Sequence, residues 1–161
     1  MTVGREWYLA DATATRAAGY AIGQSLLRLT DTPPLIITLH GDLGAGKTTL
    51  VGGLLSALGH EGPVRSPTYT LIEPYELAGR QLYHLDLYRL TDPIQLEELG
   101  VRDLLQPRAV LLVEWPERAG GLLHADLAVH LAYPEQGVEG RQLQLQPEQE
   151  SLRQLVHSLS F

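Results

Sequence analysis

Eight residues, Gly41-Asp42-Leu43-Gly44-Ala45-Gly46-Lys47-Thr48, constrain the fold more than any other stretch of the chain. Two glycines separated by four residues and followed by lysine and threonine form the phosphate-loop pattern. Such a loop needs a strand before it and a helix after it. Its backbone N–H groups and the helix N-terminus must converge on one point, and the glycines let the backbone come close to the phosphates. The flanking sequence has both elements. Leu35–His40 is the apolar run of a strand covered on both faces, and Lys47–Leu58 has helical spacing until Gly59 ends it. The pattern predicts phosphate contacts from Asp42, Leu43, Gly44, Ala45, Gly46 and Thr49. It also predicts Lys47 at the β- and γ-phosphates and the Thr48 hydroxyl on a magnesium ion.

Lys47 is also the only lysine among the twelve lysines and arginines. A compact ammonium reaches between phosphates where a planar guanidinium is too bulky, so this position overrides the preference for arginine elsewhere. A single lysine also rules out the Asn-Lys-x-Asp motif with which GTPases read guanine, and no Asp-x-x-Gly switch is present. No arginine cluster of the kind that lids a small-molecule kinase is visible either. ATP with magnesium is the expected ligand pair.

At 161 residues, 44% of them hydrophobic, the chain is the size of one domain, expected to span 1–161. It has no cysteine, which excludes disulfides, thiolate metal sites and a cysteine nucleophile. Its apolar runs are too short for a membrane helix, and the N-terminus does not read as a signal peptide, so a cytoplasmic protein is expected. The formal charge of −7, with scattered basic residues, argues against this chain gripping a nucleic-acid backbone alone.

Other elements follow from periodicity. Val3–Leu9 reads as a strand, and Asp11–Leu29 as a helix capped by Asp11 or Thr13. Tyr69–Tyr75 and Leu82–Leu90 read as a hairpin about Ala78-Gly79-Arg80. A helix is expected from Asp92-Pro93 to about Leu105, with Pro93 in its first position and Gln95 completing a capping box. Ala109–Trp115 reads as a buried strand, Leu127–Tyr133 and Arg141–Gln146 as a second hairpin about Gly137–Gly140, and Glu148–Leu159 as a terminal helix. Together they predict an α/β protein: a phosphate-loop NTPase-like mixed sheet flanked by helices, with hairpins after the loop helix and near the C-terminus.

A phosphate-loop site needs a carboxylate at the end of a neighbouring strand. Glu114 ends the buried run Ala109–Val113 and is assigned to magnesium. Asp86, within Leu82-Tyr83-His84-Leu85-Asp86, is assigned behind it or on the attacking water; the reverse order is the alternative. His84 shares a strand face with Asp86 and is either a tuner of that acid or, more simply, a core or surface histidine. Trp115 either covers the site or is a half-buried aromatic. The hydroxyls of Ser66-Pro67-Thr68 either sense a γ-phosphate or cap a turn.

The motifs above, together with His84-Leu85-Asp86-Leu87-Tyr88-Arg89-Leu90, Glu97-Glu98-Leu99-Gly100 and Val113-Glu114-Trp115-Pro116 in this order, resemble the bacterial TsaE (YjeE) family from about Asp11 to Gly137. The resemblance implies an ATPase needed for threonylcarbamoyladenosine in tRNAs that read codons beginning with A. It implies TsaB and TsaD as partners, with tRNA met only through them. On the family pattern Thr48 and Glu114 hold magnesium, Asp86 is the carboxylate needed for hydrolysis, and Trp115 lies beside the nucleotide. Thr68 belongs to a switch-like segment, and Ala12 and Gly137 help enclose the nucleotide; Ala12 has no polar side chain, so only backbone or packing contacts are available to it.

Overall fold

In the computed structural model, residues 4–161 are described; Val3, expected to open the first strand, lies outside them. The elements in chain order are β1 (Arg5–Leu9), α1 (Ala12–Leu27), β2 (Leu35–His40), α2 (Lys47–Ala57), β3 (Ile72–Leu77), β4 (Arg80–Asp86), α3 (Ile94–Glu98), β5 (Val110–Glu114), β6 (Leu127–Ala132), β7 (Arg141–Pro147) and α4 (Glu150–Ser158). The seven strands form one sheet in the order β1-β7-β6-β2-β5-β4-β3. Strands β4, β5, β2 and β6 pair in parallel, while β3 on one side and β7 and β1 on the other pair antiparallel. This is the mixed α/β sheet that the alternation of strands and helices predicts.

The parallel strands are buried because both faces are covered. Leu35, Ile37 and Leu39 of β2, with Val110 and Leu112 of β5, pack against Ile22 and Leu26 of α1 and Leu50 and Leu54 of α2. On the opposite face, Ile36, Leu111 and Val113 meet Leu96 of α3, Val101 and Ala119. Helices α1 and α2 approach until backbones touch. A Cβ at Gly19 would lie on the Leu50 carbonyl, and one at Gly53 on the Arg16 carbonyl. These two small residues fix how deeply α2, and hence the loop before it, sits against the sheet.

Local signals set most boundaries. Asp11 caps α1 by accepting the Ala14 N–H at 2.8 Å. Ala78-Gly79, both at positive φ, form the two-residue turn between β3 and β4. Three expectations need correction. The helix expected over 92–105 stops after Glu98, because Gly100 takes a left-handed conformation (φ 76°) and the chain resumes as a 3-10 turn over Val101–Leu104. There Pro93 is the N-cap rather than the first helical residue, although Gln95 does reach back to the Asp92 N–H at 3.3 Å. The first hairpin is shifted: β3 begins only at Ile72, because Leu71 has φ 68°, and β4 ends at Asp86, after which Leu87–Leu90 turn away.

Because a Cβ at position 53 would meet backbone rather than a flexible side chain, Gly53→Ala is expected to cost more than about 2 kcal/mol in chemical denaturation. Stability within about 0.5 kcal/mol of the parent would show that α1 and α2 can separate freely.

Candidate active site

The site lies where β2, β5 and β4 end side by side. Parallel register places Leu39 opposite Glu114 and Glu114 opposite Asp86. Two residues beyond Leu39, Gly41 begins the phosphate loop. A side chain there would come within 2.5 Å of the Leu131 carbonyl of β6. Gly46, at φ 107°, turns the loop into α2. The Ala45 N–H donates to the Asp42 carbonyl at 3.0 Å and closes the loop.

Lys47 is only 5% exposed. Its ammonium donates to the Gly41 carbonyl at 2.6 Å and lies 3.8 Å from the centre of the Trp115 ring. Burial lowers its pKa, while Glu114, Asp86, Glu117 and Asp42 act in the opposite direction. No ion pair to Lys47 occurs among the described residues. Trp115 holds a left-handed backbone (φ 57°), unusual for a bulky residue, which turns the chain sharply after β5 and brings the indole over the ammonium.

The two acids are held differently. Glu114 Oε2 accepts from His84 Nε2 at 2.6 Å, and the Ser66 hydroxyl oxygen lies 3.0 Å from it. The Thr48 hydroxyl lies 3.4 Å from Glu114 Oε1 and 3.3 Å from Oε2. Asp86 Oδ2 accepts from the hydroxyls of Ser66 and, at 3.1 Å, Thr68, while Oδ1 accepts the Tyr88 N–H at 3.0 Å. Ser66 therefore bridges both carboxylates, and the hydroxyls of Ser66 and Thr68 are turned toward the acids rather than capping a turn. His84 is fully buried and bonded to Glu114, not to Asp86 beside it on β4.

Two cavities meet across the loop. One, of about 350 Å³, is lined by Leu43, Gly44, Gly46, Lys47, Thr48 and Thr49 from the loop side and by Thr68, Asp86, Glu114 and Trp115 opposite. The other, of about 500 Å³, takes in Ala12, Ala45 and again Gly44, Gly46 and Thr49. Asp42 and Gly137 line neither, although Val138, Glu139 and Gly140 border the second.

Sequence reasoning missed Arg141 and Tyr133. From β7, Arg141 Nε and Nη2 donate to the Ala45 and Gly44 carbonyls, each at 3.1 Å, and the guanidinium lies 4.2 Å from the Tyr133 ring. These bonds tie the outward carbonyls of the loop from the far end of the chain. No local pattern marks them, since the partners are almost a hundred residues apart. Tyr88, packed 5.0 Å from Trp115, lines the rim through tertiary packing that its place in the sequence does not mark.

A loop of this sequence between a parallel strand and a helix, facing acids on the next two strands, defines the phosphate-loop class of α/β proteins. Comparison with known proteins narrows the class. The family model described as "Threonylcarbamoyl adenosine biosynthesis protein TsaE" matches residues 9–143. The chain is 45% identical to the tRNA threonylcarbamoyladenosine biosynthesis protein TsaE of Haemophilus influenzae, over 78% of this chain and 80% of that one. It is 44% identical to the protein so named from Synechocystis, over 70% and 71%. The crystal structure of Bacillus subtilis YdiB superposes with a TM-score of 0.73 at 26% identity, covering 98% of this chain and 94% of the other. The chain belongs to the TsaE family, whose named members act in the biosynthesis of threonylcarbamoyladenosine in tRNA.

Just before the loop, His40 stacks on His130 of β6 with ring centres 4.4 Å apart, and its Nε2 lies 2.9 Å from the Thr38 hydroxyl. Burial lowers both pKa values below the ordinary 6.5; His130 and Lys47 lower that of His40 further, and Glu117 partly opposes. As pH falls through 6.5 the unfolded chain takes up protons that the folded pair refuses, so folding stability is lost. Thermal unfolding between pH 7.5 and 5 should fall less steeply in the His40→Gln/His130→Gln double variant than in the parent. Equal slopes would remove the pair as a source of acid sensitivity.

Proposed function

We propose that this chain is a single-domain, magnesium-dependent ATPase of the cytoplasm that acts on the TsaB–TsaD pair. That pair would place the threonylcarbamoyl group on tRNAs reading ANN codons, and ATP hydrolysis here would sustain its turnover. Membership of the family supplies the pathway. The observation that carries the ATPase reading is a nearly buried ammonium that, among the described residues, has a carbonyl but no anion as partner, beside a helix N-terminus and facing two acids in register. Such a cradle fits the polyphosphate of a nucleotide.

The donor set also fits a hard divalent cation. Thr48 Oγ1 and Glu114 would hold it. Bound there, magnesium supplies charge neutralisation and orientation of the phosphate oxygens. Lys47 and the loop N–H groups stabilise negative charge that develops on the terminal phosphate. Asp86, fixed by Ser66, Thr68 and the Tyr88 N–H, presents a carboxylate that can orient a water for in-line attack. Ala12 and the residues after Gly137 border the second cavity, the side on which a nucleoside would lie. No helix among the described residues is long and apolar enough to cross a membrane. The acidic charge of −7 favours a role in which tRNA is held by the partner proteins.

No arginine is among the residues lining the cavity that holds Lys47 and the two acids. Turnover should therefore be slow alone and rise when partners bind. The test is phosphate release from ATP with magnesium, alone and with TsaB–TsaD, for the parent and Lys47→Ala. Partner-stimulated release, reduced on the order of a hundredfold or more by the substitution, is expected. Equal turnover with and without partners, or a fully active Lys47→Ala, contradicts the proposal. Nucleotide binding without release under any condition would indicate a passive switch, and release that depends on an added small acceptor would indicate a kinase.

A further inference from the structure

Glu114 has more donors than a metal-binding carboxylate needs, and they are unevenly shared. Oε2 accepts from His84 at 2.6 Å and lies 3.0 Å from the Ser66 hydroxyl and 3.3 Å from that of Thr48, whereas among the described residues Oε1 is approached only by Thr48, at 3.4 Å. His84 is fully enclosed, at 0% exposure, and reaches Glu114 diagonally across the β4–β5 pair. Its other ring nitrogen, Nδ1, is buried with no hydrogen-bond partner among the described residues. That asymmetry assigns the tautomer: the proton sits on Nε2 and is donated to Glu114. Protonation at Nδ1 would bury an unpaired N–H, which costs more than leaving an acceptor lone pair unused.

We propose that His84 is a positioning residue for the metal-binding carboxylate. By holding Oε2, it fixes the Glu114 rotamer so that Oε1, which neither His84 nor Ser66 contacts, stays open to a divalent cation beside Thr48. This rests on the ATPase reading and deepens it. A donor to a ligating carboxylate orients the ligand, and loss of such a partner typically weakens metal binding about 10–100-fold. Ser66 cannot replace His84, because its hydroxyl is shared with Asp86 and sits on the segment between α2 and β3. His84 donates from within a strand of the sheet, where it cannot swing away.

The test is manganese binding in the presence of ADP, followed by electron paramagnetic resonance, together with ADP affinity in EDTA. Three variants are compared. His84→Leu removes the donor at similar volume, His84→Asn retains a polar amide too short to reach Glu114, and His84→Gln places an amide N–H near the position of Nε2. Manganese affinity should fall tenfold or more in His84→Leu and His84→Asn and stay within about threefold of the parent in His84→Gln. Metal-free ADP affinity should change less than twofold in all three. If His84→Leu does not fold, the Asn and Gln pair decides. Parent-like manganese affinity in His84→Asn, or equal losses in Asn and Gln, would overturn the positioning role and leave only packing. A parent protein that binds no manganese with ADP would overturn the ATPase reading and this inference together, whereas parent binding that the variants leave unchanged overturns this inference alone.

Discussion

The site depends on the register of β5 between β2 and β4. Backbone hydrogen bonds of the parallel ladder set Glu114 opposite Leu39 and Asp86 opposite Glu114, so both acids end at the level where Gly41 starts the phosphate loop. A slip of one residue on either strand would turn the acid to the other face of the sheet. What prevents the slip is burial: every residue of β5 is enclosed, and its two faces pack into two separate apolar clusters. The hydrophobic effect thus supplies the precision of the polar site, since a register error would bury carboxylates among leucines.

The same economy runs through α1 and α2. Gly19 and Gly53 allow backbone contact between the helices, which seats the N-terminus of α2 close over the strand ends. The loop then lies under Arg141 from β7 and beside Trp115 from the end of β5. Elements from nearly the whole length of the chain converge on a few backbone carbonyls and one ammonium. The strained backbone of Trp115 is tolerated because its indole covers Lys47, a contact that desolvates the ammonium and strengthens its attraction for an anion.

Much of this was legible in the sequence, because the phosphate loop has a fixed spacing and the buried strands are continuous apolar runs. The apolar run Leu35–His40 has the bounds of β2, and of the two candidate caps, Asp11 and Thr13, Asp11 is the one that caps α1. The acids could be named from the loop's requirement for a carboxylate on a neighbouring strand. What the sequence could not show was set by tertiary contact or a single backbone angle. Gly100 splits what periodicity reads as one helix, and Leu71 delays β3, because a left-handed residue leaves no periodic trace. Arg141 reaches the loop through a hairpin whose side-chain direction no local pattern encodes. His84 sits on the face predicted for it, yet bonds across strands to Glu114 rather than along its own to Asp86, and diagonal partners are invisible without the register.

The most direct test of the account is the crystal structure of the protein with ADP and manganese, the metal located by its anomalous scattering. The account predicts a single manganese between the Thr48 hydroxyl and Glu114, with His84 still bonded to Glu114 and Lys47 shifted from the Gly41 carbonyl to phosphate. Manganese on Asp86 with Glu114 turned away, or nucleotide bound without contact to Lys47, would contradict it.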